Sequence, residues 1–63
     1  MNTDIIKSVE NTEEGMVAII SRNHEAGFNV ILIDADSNES LGGKIGIIDY
    51  DKAEVYANFV VNN

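Results

Sequence analysis

Residues 16–35, MVAIISRNHEAGFNVILIDA, decide the fold. Two stretches rich in β-branched residues, 16–22 and 28–35, flank a polar segment, Asn23-His24-Glu25-Ala26-Gly27. Each stretch has the length and composition of a strand, and the segment between them is a hairpin-length loop closing on glycine. A loop this short favours antiparallel neighbours. Residues 44–50 (KIGIIDY) read as a third strand. They follow a longer connection, 36–43, that carries Ser, Asn and the pair Gly42-Gly43. The predicted centre is an antiparallel meander.

Outward from this centre, residues 3–11 read as a short helix. Ile5, Ile6 and Val9 fall at helical spacing, Thr3 is placed to cap, and Asp4 suits the first turn. Such a short helix must dock on something to persist. Residues 12–15 form a polar connection. The C-terminal stretch 51–61 supports two readings. As a helix, Asp51 caps it, Glu54 completes a capping box, and Tyr50 with Val55 forms a hydrophobic staple. As a strand, Ala53, Val55, Ala57, Phe59 and Val61 alternate with polar neighbours. The entry signals favour the helix. The predicted fold class is thus α+β, one domain over residues 1–63. It is a small three-stranded antiparallel β-meander with a short N-terminal helix and a C-terminal helix, the alternative being that the C-terminal segment is a fourth strand.

The strands are apolar on both sides. Phe28, Val30 and Leu32 oppose Ile31, Ile33 and Ala35; Val17 and Ile19 oppose Met16, Ala18 and Ile20; Ile45 and Ile47 oppose Ile48 and Tyr50. An antiparallel sheet with one wet face should alternate apolar with polar. Either the two helices cover opposite faces, or one face is left to meet a second copy or a target. Ile31, Ile33, Ile48 and Tyr50 are the candidate apolar interface.

Eleven Asp and Glu against four Lys and Arg give a net charge of −7 with His neutral. That charge disfavours direct contact with nucleic acid and with anionic membranes, and it suits a protein partner with a basic surface. The antiparallel order gathers Asp34, Asp36 and Glu39 near Glu13 and Glu14, with only Lys44 to offset them. There is no Cys, so neither disulfides nor thiolate metal sites are available. A domain this short buries only about 60% of its unfolded surface. The first residues lack a cationic stretch followed by an apolar run, and no apolar run approaches the ~20 residues of a membrane span. A cytoplasmic location is expected.

Catalytic and metal motifs are incomplete. Asp34-x-Asp36-x-Asn38 begins like a calcium loop, but Glu39 stands where the loop needs glycine and Ile45 where it needs a bidentate carboxylate. A turn built from Asx side chains explains the same residues. His24 is the single histidine, in a polar loop, without a second ligand at zinc spacing. No serine lies in a nucleophile elbow, and Gly42-Gly43-x-x-Gly46 lacks the Lys-Ser/Thr of a phosphate loop. Gly46 inside a strand suggests a bulge. No enzyme activity, cofactor or metal is expected.

No diagnostic family motif is present. In size and charge the chain resembles the small acidic inhibitors encoded by phages and mobile elements, such as anti-CRISPR proteins and DNA mimics. That resemblance implies a stoichiometric blocker whose carboxylates occupy a phosphate-binding groove. The expected function is a non-catalytic acidic protein-binding module of this kind. The alternatives are an assembly module that homodimerises through an apolar sheet face and a divalent-cation-binding regulator.

Overall fold

Ala18, Ile20 and Val30 on the sheet meet Ala53, Ala57 and Val61 on a helix, and these six side chains are fully buried. Everything else in the fold is arranged around that contact. The structure is a computed structural model and describes residues 4–62. The element order is β1 (Ile5–Asn11), β2 (Met16–Arg22), β3 (Phe28–Asp34), β4 (Ser40–Ile47) and α1 (Tyr50–Val61). The strands form one open antiparallel sheet in the order β1-β2-β3-β4. The helix lies across β2 and β3, and the extents of 32 × 27 × 16 Å are those of two layers. Alanine at 53 and 57 lets the helix backbone approach the sheet closely.

The α+β class, the antiparallel meander and the C-terminal helix agree with the sequence. The N-terminal helix does not form: residues 5–11 are strand β1, paired with β2 from Ile5↔Ser21 to Asn11↔Met16. Thr3, the expected cap, lies outside the described residues. The sheet therefore has four strands, but the fourth comes from the N-terminal segment, while 50–61 is helical. The physical reason is the edge of β2. Without β1, its outward N–H and C=O groups would lie bare beside an apolar face. A register shift between Ile5 and Lys7 breaks strict alternation there, which is why the segment also matches helical spacing.

Three boundaries also move, the smallest being the end of β3 at Asp34 rather than Ala35. The strand expected at 44–50 runs instead from Ser40 to Ile47, so Gly42 and Gly43 are strand residues opposite Leu32 and Ile31. Gly46 does mark a bulge: the register shifts between Phe28 and Val30, and the Gly46 N–H donates to Asn29 Oδ1 at 3.2 Å. The helix begins at Tyr50 with Asp49, not Asp51, as its cap, and Asp49 Oδ1 accepts from the Asp51 N–H at 3.1 Å. Asp49 has extended backbone, as a cap must, whereas Asp51 is already helical. Glu54 is then free of a capping box and pairs with Lys7 on β1. Among the described residues no helix is long and apolar enough to cross a membrane.

Asn11 ties the far end of the helix to the sheet. Its Nδ2 donates to the Val61 carbonyl at 2.7 Å, and its Oδ1 accepts from the Glu14 N–H at 3.2 Å. It thus satisfies one of the last carbonyls of α1 and closes the β1–β2 turn. Asn11→Ala should cost about 1–3 kcal/mol for these partly buried groups, read as a lower urea midpoint with an unchanged slope.

Candidate functional site

The acidic end is built by two adjoining connections. The β1–β2 turn carries Glu13 and Glu14, and the β3–β4 loop carries Asp36 and Glu39. The Ala35 N–H donates to the Gly15 carbonyl at 2.8 Å, which joins turn to loop. Asp34 closes β3 opposite Met16, at the base of both. All five expected carboxylates therefore lie at one end of the sheet. Their roles differ. Asp34 Oδ1 accepts from the N–H groups of Asp36 (2.9 Å) and Ser37 (3.4 Å), and the Asp34 carbonyl accepts from Asn38. The Asp-x-Asp-x-Asn run is an Asx-type turn, with Asn38 at φ 66° closing it. Asp34 shapes the loop, while Glu13, Glu14, Asp36 and Glu39 project from it as exposed residues.

Two contributions to this end were missed in the sequence. Glu10 reaches it on β1, opposite Val17. A strand reading of residues 5–11 would have placed it there. The helix C-terminus reaches it as well, held by Asn11, and its last turn contains no basic residue. The negative pole of the macrodipole, roughly half a charge, is thus directed at the carboxylates.

Lys44, expected to offset these acids, does not. It stands opposite Val30 in mid-strand, with its ammonium 5.9 Å from the Tyr56 ring centroid. The shift of β4 moved it. Of the other cations, Lys7 lies 2.5 Å from Glu54, Arg22 ends β2 opposite Phe28, and Lys52 is in the first turn of α1. The hydrogen bond to Glu54, and then its charge, holds the Lys7 ammonium above the ordinary lysine range. Among the described residues the acidic end contains no Lys or Arg.

The candidate apolar interface is divided by the structure. Ile31 and Ile33 share the sheet face opposite the helix with Val17 and Ile19, their cross-strand partners. Among the described residues no element covers this face. Ile48 instead lies in the β4–α1 connection, 72% exposed. Tyr50 opens the helix and packs edge-to-face on Phe28, with centroids 5.4 Å apart, on the covered side. A strand running through residue 50 would place both on the open face, but β4 ends at Ile47.

His24 Nε2 lies 2.6 Å from Asp4 Oδ2 on the surface at the opposite end. Among the described residues no group of three or more His, Asp or Glu side chains is placed to hold a metal ion. Family models, curated proteins and solved structures yield no match to this chain.

Proposed function

We propose that this chain is a non-catalytic protein-binding module that engages a basic surface through its acidic end, as a stoichiometric blocker of a nucleic-acid-binding protein. The observation that carries the reading is the one-sided charge. Glu10, Glu13, Glu14, Asp34, Asp36, Glu39 and the negative end of α1 lie together, and the described Lys and Arg residues lie elsewhere. Carboxylates spaced over turns and loops present acceptors to Lys and Arg much as a phosphate backbone does. Binding of this kind is steered over long range and competes with nucleic acid for the same cations.

The test reverses charge where the fold does not depend on it. Asp36→Lys with Glu39→Lys spares Asp34, which holds the turn. Immobilised protein should retain a basic partner from its host, and duplex DNA and rising salt should both displace that partner. The double variant should lose at least about tenfold in affinity, since each charge-assisted contact contributes roughly 1.5–3 kcal/mol. A partner retained equally by the variant, or indifferent to salt, removes the acidic end from the function.

The uncovered face supports a second reading, an assembly module that homodimerises. Val17, Ile19, Ile31 and Ile33 form an apolar centre on that face, and among the described residues the single helix lies on the other side of the sheet. Pairing there would be insensitive to salt, which separates the two readings.

A further inference from the structure

The helix lies over β2 and β3 and leaves the helix-side surface of β4 bare. A groove of about 570 Å³ runs there between α1 and β4, floored by Gly46 and Ile47 and walled by Val55, Tyr56 and Phe59. Val55 is 70% exposed and Phe59 59%, so this apolar wall faces solvent. Lys44 and Lys52 line the same groove. These are two of the four Lys and Arg residues in a chain of net charge −7.

The helix segregates its charges to match. Lys52, Val55, Tyr56 and Phe59 recur at three- and four-residue spacing and form one stripe. Asp51 and Glu54 fall on the other flank, and Glu54 is drawn to Lys7 on β1, at the far edge of the sheet. The groove is thus apolar and locally cationic within a strongly acidic protein. This charge pattern is opposite to that of the acidic end, so the groove suits a different class of partner.

We propose that the β4–α1 groove is a second binding surface, which seats a short acidic-apolar peptide segment of a partner protein. Apolar side chains of that segment rest on Val55, Tyr56 and Phe59, and its carboxylates meet Lys44 and Lys52. Charge complementarity selects the acid, because a basic segment would face the Lys44 and Lys52 ammonium groups at close range. Walls this exposed cannot enclose an acyl chain, whereas side chains projecting from a peptide need only one apolar wall each. At neutral salt the Debye length is about 8–10 Å, so the local lysines dominate over the distant acidic end.

A displayed library of random nonapeptides, selected on the protein alone and with each survivor then measured on a Lys44→Glu/Lys52→Glu variant, tests this. Expected survivors combine Asp or Glu with at least one aromatic or branched aliphatic residue. The best survivor should shift the amide resonances of residues 44–47 and 52–59, and Val55→Asp should weaken it at least tenfold. Val55 is exposed enough for that variant to stay folded, which an unchanged far-UV spectrum would establish. Survivors that are basic, survivors that bind the lysine variant equally, or shifts confined to the acidic end overturn the proposal. So does an empty selection, or displacement of the peptide by equimolar myristate.

Discussion

Gly43→Ala should leave the protein largely unfolded at 25 °C. Gly43 stands in β4 at φ 156°, opposite Ile31. A Cβ there would lie 2.1 Å from the Val30 carbonyl oxygen and 3.0 Å from the Ile31 Cα. Both are backbone atoms of β3, a central strand, and they cannot yield without breaking the pairing on which β4 depends. A non-glycine residue in such a conformation costs about 1–3 kcal/mol, and relieving an overpacked contact typically costs a further 1–3 kcal/mol. Domains of this size rarely hold more than about 3–5 kcal/mol in total. The adjacent Gly42 is the control. It shares the unusual conformation at φ 131°, but an added Cβ meets nothing within 4 Å. Gly42→Ala should retain a cooperative thermal transition with a lowered midpoint, and Gly43→Ala should show none. Equal midpoints for the two would mean that the β3–β4 register is not the one described.

The same glycines explain part of what the sequence conceals. Gly42-Gly43 reads as a turn because glycine is poor in strands and common in loops. Here it is strand, since β3 needs a neighbour that can approach closely on that side. The misplaced strand then carried Ile48 and Tyr50 onto the open face and Lys44 to the acidic end. Residues 5–11 misled differently. Ile5, Ile6 and Val9 fit a helix, whereas Lys7, Val9 and Asn11 share the strand face towards α1, as Lys7–Glu54 and Asn11–Val61 contacts require. Local pattern could not choose between these periods, and the unpaired edge of β2 did. By contrast, the β2–β3 hairpin was legible because strand composition, loop length and Gly27 agree. The clustering of Glu13, Glu14, Asp34, Asp36 and Glu39 was legible too, since it needs only antiparallel order and not the correct start of β4.

The largest contrast within a single strand is expected at Val30 and Ile31. Val30→Asp should abolish folding, and Ile31→Lys should not. Val30 has no exposed surface and packs in the cluster with Ala18, Ile20, Ala53, Ala57 and Val61. No cation lies in that cluster, so an aspartate would be a buried charge without a partner, at a cost of several kcal/mol. Ile31, one residue on, faces away from the helix between Ile19 and Gly43. A lysine there can lay its stem along the apolar face and keep its ammonium in water, for a loss of about 1 kcal/mol. Circular dichroism melts check both outcomes; a folded Val30→Asp or an unfolded Ile31→Lys would mean that the helix covers the other face. Ile31→Lys also separates the two functional readings. If the open face pairs two copies, the wild-type chain sediments as a dimer at micromolar concentration and Ile31→Lys as a monomer, because symmetric pairing brings both lysines into one apolar interface. If the acidic end is the working surface, Ile31→Lys leaves salt-sensitive capture of the basic partner intact while Asp36→Lys/Glu39→Lys removes it. Ile31 pairs with Ile19 and Gly43 within the sheet, whereas Asp36 and Glu39 lie in the loop beyond the end of β3, so the two substitutions share no cross-strand partner and their effects should add.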